Sequence, residues 1–359
     1  MEKKKIIIIL LIFFVASLLT IYSTVIYIDD PNIVVKHSFF YLISLAIILI
    51  LSKININFIY KYSFIIYIIL NIFLLLVLFL GKEINGSRAW FEIPKIGTIQ
   101  PSEFMKIGII LLNATTIKNH KGKDLKLILK IFVITLIPSI LTFLEPDTGA
   151  VIIYFIISLV ILMTSNISKK WFYIGACLLS IFIISFLGLY YLKQDLFIKF
   201  LGSEFFYRFD RITNWLSKEG MQLENSLISI GSTKIFGNGL NNILIYFPEP
   251  HTDFIFASFI SCFGLISGII LILLIVSFDF TLLDLASKNK NITTKYIVIG
   301  TVSALMYQQI QNISMTMGLL PITGITLPFI SSGGSSLLSY SLLIGIILNT
   351  KKRYKSIFN

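Results

Sequence analysis

The stretch that decides the fold is IIIILLIFFVASLLTIYSTVIYI, Ile6 to Ile28, which follows Lys3, Lys4 and Lys5. A hydrocarbon layer of ~30 Å needs about 20 apolar residues in a helix to cross it, and this run supplies them without a charge. A basic start before an apolar run also opens a secretory signal. This run is too long for one and has no small-residue cleavage site before the next apolar block, so a retained first helix is expected. Blocks of the same kind recur near 34–52, 63–80, 102–117, 127–144, 149–165, 171–192, 252–277, 295–315 and 335–350. With 56% hydrophobic and only 13% charged residues among 359, the chain leaves no room for a soluble domain beyond loops. The expected fold is an all-α polytopic membrane protein, one transmembrane domain over 1–359. It has about ten transmembrane helices, with a large extracellular loop of about 193–251 between helices 7 and 8.

The formal net charge of +12 would suggest a nucleic-acid partner in a soluble protein. Here the basic residues flank the apolar blocks, which reads as positive-inside anchoring with no nucleic acid involved. Lys and Arg concentrate on the inner segments if both termini are cytoplasmic. Most of the 18 acidic residues then map outside, with Glu2, Asp124, Asp279 and Asp284 the inner exceptions, so chemistry or binding is expected on the outer face. Cys177 and Cys262 fall inside apolar stretches and argue for neither a disulfide nor a metal site.

Ionisable groups at membrane depth are costly and point to function. In Gln100-Pro101-Ser102-Glu103-Phe104-Met105-Lys106, Pro101 suits a first helical turn, and Glu103 and Lys106 share a helix face where they can pair. The pair either locks helices together or sits beneath an outer cavity. Arg88 and Trp90, in Asn85-Gly86-Ser87-Arg88-Ala89-Trp90-Phe91, either anchor the chain at the interface or hold a phosphate and a sugar ring. Glu145-Pro146-Asp147-Thr148-Gly149 is a tight outer turn in which Asp147 can cap the next helix. In the long loop, Arg208 and Arg211 either clamp a diphosphate or form a solvated face. Gly237-Asn238-Gly239 is no dinucleotide fingerprint, lacking the third glycine. Asp253 follows two prolines and enters the eighth apolar block. It is either a helix cap or, with its proton affinity raised by apolar surroundings, a general base near neutral pH. His251 beside it makes no metal site alone, since His37 and His120 map elsewhere. The irregular run Gly318 to Ser336 is tolerable near the membrane only where protein or a water-filled cavity covers it.

Five segments in this order, NGSRAWF, QPSEFMK, EPDTGA, FPEPHTDFIFA and GLLPITGITLPFISSGGSS, resemble those of the RodA/FtsW (SEDS) family of cell-wall polymerases. The short termini look more like its RodA branch. The resemblance implies polymerisation of lipid II on the outer face of the cytoplasmic membrane with release of undecaprenyl diphosphate. It places Asp253 as the essential carboxylate and Trp90, Glu103, Lys106 and Asp147 as sensitive outer groups. Arg88, Lys106, Arg208 or Arg211 are then expected to stabilise the leaving charge, alone or with a divalent cation such as Mg or Mn, and no organic cofactor is expected. Implied partners are a class B penicillin-binding protein and other elongasome or divisome membrane proteins. Departures from the family pattern are Ser258-Phe259-Ile260-Ser261-Cys262-Phe263-Gly264 where a pair of glutamates is usual, Met221-Gln222-Leu223 in the long loop, and Ser332 for a frequent tyrosine. A lipid II flippase and a non-catalytic scaffold are the rival readings.

Overall fold

The computed structural model describes residues 2–28, 30–84, 86–94, 97–192 and 221–349. Arg208 and Arg211, together with the rest of 193–220 in the long loop, lie outside these described residues. Helices dominate: α1 (Glu2–Thr24), α2 (Ile33–Leu51), the short α3 (Ile56–Lys61), α4 (Ser63–Leu80), α5 (Pro101–Asn119), α6 (Asp124–Leu144), α7 (Thr148–Met163) and α8 (Lys170–Leu192) precede the loop. The helices α9 (Met221–Gly231), α10 (Ile255–Ser287), α11 (Ile292–Thr316) and α12 (Gly334–Asn349) follow it. Five of these helical stretches are long and apolar enough to cross a membrane, and the chain is a polytopic membrane protein.

The expectation of an all-α chain needs a correction. Between α4 and α5 the chain folds into a small antiparallel sheet of β1 (Lys82–Ile84), β2 (Ser87–Ile93) and β3 (Gly97–Ile99), in the order β1-β2-β3. The β1–β2 turn passes through Gly86 at φ 77°, a conformation that costs glycine little. Lys82 pairs with Glu92 at 2.8 Å across the sheet.

Helices α5 and α11 occupy the centre. On α5 every residue from Met105 to Thr115 is buried, which explains its low amphipathicity: it meets neighbours on all sides. Backbone groups that irregularities set free find partners, as a low-dielectric surround requires. Pro138 inside α6 has no N–H for the carbonyl of Ile134, and the Tyr67 hydroxyl donates to that carbonyl instead, at 2.9 Å.

Helix α10 departs from its expected extent of 252–277. It starts at Ile255, runs on to Ser287, and is broken at Gly264, which takes φ 87°. The break leaves the carbonyls of Ser261 and Cys262 without helical donors. The amides of Asn238 and Gly239 donate to them, each at 3.0 Å. A Cβ on Gly237 would lie 2.2 Å from the Cys262 carbonyl oxygen. The Gly-Asn-Gly sequence therefore serves as a wrap that lets the loop backbone press onto the broken helix.

The run before α12 descends into the bundle. Its Leu327, Phe329 and Ile330 are buried, Phe329 packs edge-on to Phe278 of α10 at 5.6 Å, and Ser17 of α1 donates to the carbonyl of Ile330. Irregular backbone is covered by protein here, as its position near the membrane demands.

Candidate active site

A cavity of about 590 Å³ lies where the loops and helix ends at one end of the bundle converge. Trp90 from β2, Gln100 and Glu103 from the start of α5, Asp147 before α7, His251 and Asp253 before α10, and Gln308 from α11 all line it. The structure thus brings together five side chains singled out in the sequence: Trp90, Glu103, Asp147, His251 and Asp253.

Asp253 precedes the helix rather than entering it. The cap position of α10 is Phe254, with no side-chain capping bond, so Asp253 does not serve as the cap. Its backbone is held from two sides. Asn312 of α11 donates to the carbonyl of Asp253 at 2.8 Å and shares its amide with the carbonyl of Ile325, also at 2.8 Å. Around it, the Ser331 hydroxyl donates to the Thr252 carbonyl at 2.6 Å and the Ser332 amide to the His251 carbonyl at 2.9 Å. The turn begins at Glu249 with φ 55°, a region few non-glycine residues occupy and a form of strain that surrounding contacts must hold. Burial pushes the Asp253 carboxyl up to about 7, and the Glu249 charge adds to the rise. Gly324 leaves room beside the carboxylate, since a Cβ there would sit 3.6 Å from Oδ2. Burial pulls the His251 imidazole down, against the charges of Glu249 and Asp30.

Glu103 and Lys106 pair at 2.6 Å with side chains 14% and 1% exposed. Lys106 also lies 4.3 Å from the centre of the Tyr340 ring and 3.4 Å from Gln308 Oε1. The ammonium is therefore committed to its neighbours beneath the cavity, a compensated charge and not a free cation. Asp147 does two things at once. It caps α7 by accepting from the Ala150 amide at 3.0 Å, and it accepts from Gln100 Nε2 and Ser102 Oγ, both at 2.9 Å. Burial raises its proton affinity while the donors from Ala150 and Ser102 oppose that. Neighbouring Glu145 is buried with both carboxylate oxygens unpartnered among the described residues. Desolvation, reinforced by Asp147, pushes it up to about 9, so it is a neutral acid at pH 7.

Arg88 is not among the residues that line the cavity; its side chain is exposed, with Glu83 as its partner at 3.7 Å, while Trp90 on the same strand lines the cavity. The acids that line the cavity are Glu103, Asp147, Glu249 and Asp253, and among the described residues no Lys or Arg lines it. Nor do the described residues gather three His, Cys, Asp or Glu side chains into a metal-binding group. A magnesium-type ion needs only one or two carboxylates beside substrate oxygens, which Glu249 or Asp253 at this cavity would supply.

Sequence reading passed over Gln308 and Asn312. They belong to Tyr307-Gln308-Gln309-Ile310-Gln311-Asn312, a cluster of amides inside an apolar span, and polar groups at that depth were the available signal.

A polytopic bundle whose helix ends enclose an acidic, hydrogen-bonded cavity is the class of protein that fold and site define. The sequence model of the FtsW/RodA/SpoVE cell cycle proteins matches residues 3–356. A protein of Coxiella burnetii named probable peptidoglycan glycosyltransferase FtsW is 35% identical over 333 residues, 88% of this chain and 85% of its own. Stage V sporulation protein E of Bacillus subtilis is 32% identical over 300 residues, 78% of this chain and 76% of its own. The chain belongs to the FtsW/RodA/SpoVE family. Among known structures, the crystal structure of rod shape determining protein RodA from Thermus thermophilus superposes with a TM-score of 0.70 at 21% identity, covering 96% of this chain and 94% of that one. A chain from a peptidoglycan synthase complex that coordinates polymerization and crosslinking superposes with a TM-score of 0.78 at 22% identity, covering 96% of both. These matches span FtsW, SpoVE and RodA and do not select the RodA branch.

Proposed function

We propose that the chain is a peptidoglycan glycosyltransferase that polymerises lipid II, with Asp253 as general base. The observation that carries this is a carboxyl group with a proton affinity near neutrality, set in a cavity by a backbone clamp from α11 and the α11–α12 run. The reaction joins two sugars. The acceptor's 4-hydroxyl oxygen attacks the donor's anomeric carbon, the bond to the diphosphate breaks with its electron pair, and the hydroxyl proton passes to an Asp253 oxygen. A base with pKa near the working pH combines a large ionised fraction with useful basicity. Trp90 offers a face for a sugar ring, and Gln100, Gln308 and the Ser332–Ser336 run offer hydrogen bonds to its hydroxyls.

The cation that meets the leaving diphosphate comes, in this reading, from Arg208 or Arg211 of the long loop, since Lys106 is committed to Glu103. No step is routed through a divalent ion. The ten apolar blocks are ten spans of a single domain, both termini are cytoplasmic, and the cavity opens on the outer face of the cytoplasmic membrane. A class B penicillin-binding protein and other elongasome or divisome proteins are the partners, in line with the synthase complex that the fold matches. Transport of a head group would need a polar route through the bundle. The fully buried Met105, Ile109, Ile110 and Ala114 of α5 favour the enzyme over the flippase.

The test is polymerisation of labelled lipid II by the purified chain, with and without its transpeptidase. Asp253→Asn keeps the shape but cannot accept a proton, so glycan synthesis should fall by roughly 10² or more. A near wild-type rate would remove Asp253 from this role.

A further inference from the structure

The opposite end of α5 carries a second cavity, of about 1090 Å³, that the proposed reaction does not use. Its polar lining includes Lys61 beside α4, Lys118 at the end of α5, Lys121 in the connection, and Lys126 and Lys130 on α6. No carboxylate among the described residues lines it. Among the described residues none of these five lysines has an ion-pair partner, and the neighbouring acid, Asp124, accepts instead from the Ser168 amide at 3.1 Å. His120, packed under Gly122, also lines the cavity, and its buried Nε2 has no hydrogen-bond partner among the described residues. Five unneutralised cations converging on one space is an unfavourable arrangement unless an anion offsets it.

The other wall is apolar. Phe64, Leu129 and Val133 are 60%, 53% and 50% exposed, and they lie on α4 and α6, helices with the length and composition of membrane spans. Cations at a helix-end level above exposed apolar side chains match a phospholipid, phosphate first and acyl chains below. A soluble phosphate would leave the apolar wall unused. The cavity is also closed towards the catalytic end by the buried middle of α5, so it suits a resident ligand and not a passing one.

We infer that this cavity is a binding site for an anionic phospholipid of the inner leaflet, whose phosphate is held by Lys118, Lys121, Lys126 and Lys130, with Lys61 and His120 at its edge. The leaflet follows from the orientation proposed above. The lipid chemistry does not, and binding is read without any glycan assay, so failure of the polymerase reading leaves this inference standing.

Native mass spectrometry of the full chain in detergent tests it, with dioleoyl phosphatidylglycerol, dioleoyl phosphatidylcholine and inorganic phosphate as separate additions. One phosphatidylglycerol should be retained roughly tenfold or more tightly than phosphatidylcholine, whose choline cancels the phosphate charge the lysines would meet. Lys118→Gln/Lys121→Gln/Lys126→Gln should remove that preference, while Lys4→Gln/Lys5→Gln/Lys290→Gln, which neutralises exposed lysines elsewhere, should keep it. Should the triple variant not fold, Lys121→Gln alone should weaken binding about threefold or more. Equal retention of the two lipids, an equal loss in the control variant, or displacement of phosphatidylglycerol by inorganic phosphate at equal concentration would overturn the assignment.

Discussion

The two ends of α5 hold cavities of opposite construction. At one end four acids line a space whose backbone is tied in place by Asn312, Ser331 and Ser332. At the other, five lysines surround a larger space and make no ion pair among the described residues, Lys61 lying only over the Tyr62 ring. A titratable group held by several independent bonds can be positioned to a fraction of an ångström, which is what proton transfer in a transition state needs. Unpaired lysines on flexible stems adapt to a ligand but fix nothing. That contrast is the basis for proposing chemistry at the acidic end and binding at the basic one.

That comparison can be attacked at its rigid side first. After Asp253→Asn itself, the largest effect is expected from Asn312→Ala. It strips a donor from two carbonyls, those of Asp253 and Ile325, each buried loss amounting to about 1–3 kcal/mol. Polymerisation should fall about tenfold or more through kcat, with the apparent KM for lipid II little changed. A fall confined to KM would mean that Asn312 shapes the substrate pocket and not the base.

Next in size is the Glu103–Lys106 pair. Removing either partner leaves a nearly buried charge, typically a loss of about 3–5 kcal/mol. Glu103→Gln and Lys106→Met combined should therefore lose much less than the sum of the two, measured as activity and as melting temperature. Strict additivity would show that the pair does not act as a unit.

A smaller effect concerns stability. Between pH 3.8 and about 7 native Asp253 holds a proton that the unfolded chain has released, so stability falls as pH rises through that window. Above pH 7 Asp253→Asn should accordingly be slightly more stable than wild type, with a higher melting temperature, while polymerisation falls by roughly 10² or more. A variant less stable than wild type at pH 8 would mean that the ionised carboxylate is favourably held. The smallest effect is expected for Arg88→Gln, within about twofold of wild type, because the side chain faces solvent with only a loose partner. A tenfold loss in the same polymerisation assay would return Arg88 to the site.

Much of this layout was legible in the sequence because it depends on local signals. Pro101 at the first turn of α5, the Asp147 cap and the three-residue spacing of Glu103 and Lys106 are all read along the chain, and each appears in the structure. The break of α10 was not legible, since an apolar run looks continuous by hydropathy, and Gly264 bends only because Asn238 and Gly239 supply the missing donors. The sheet was missed for a similar reason: β1 and β3 are three residues each, too short for alternation to register. Arg88 and Trp90 sit two apart on β2, yet only Trp90 lines the cavity. A strand with a bulge beside Lys82 and Glu83 does not announce which side chains face in.

The central claim, that Asp253 acts as a base whose burial sets its proton affinity, is tested most directly by the pH dependence of kcat/KM for lipid II polymerisation by the purified chain. Only ionised Asp253 accepts the proton, so the rate should rise with pH, reach half its plateau near 7, and level off above that. A profile already flat from pH 5 upward would contradict the account, because it would require an ordinary carboxylate or a different base.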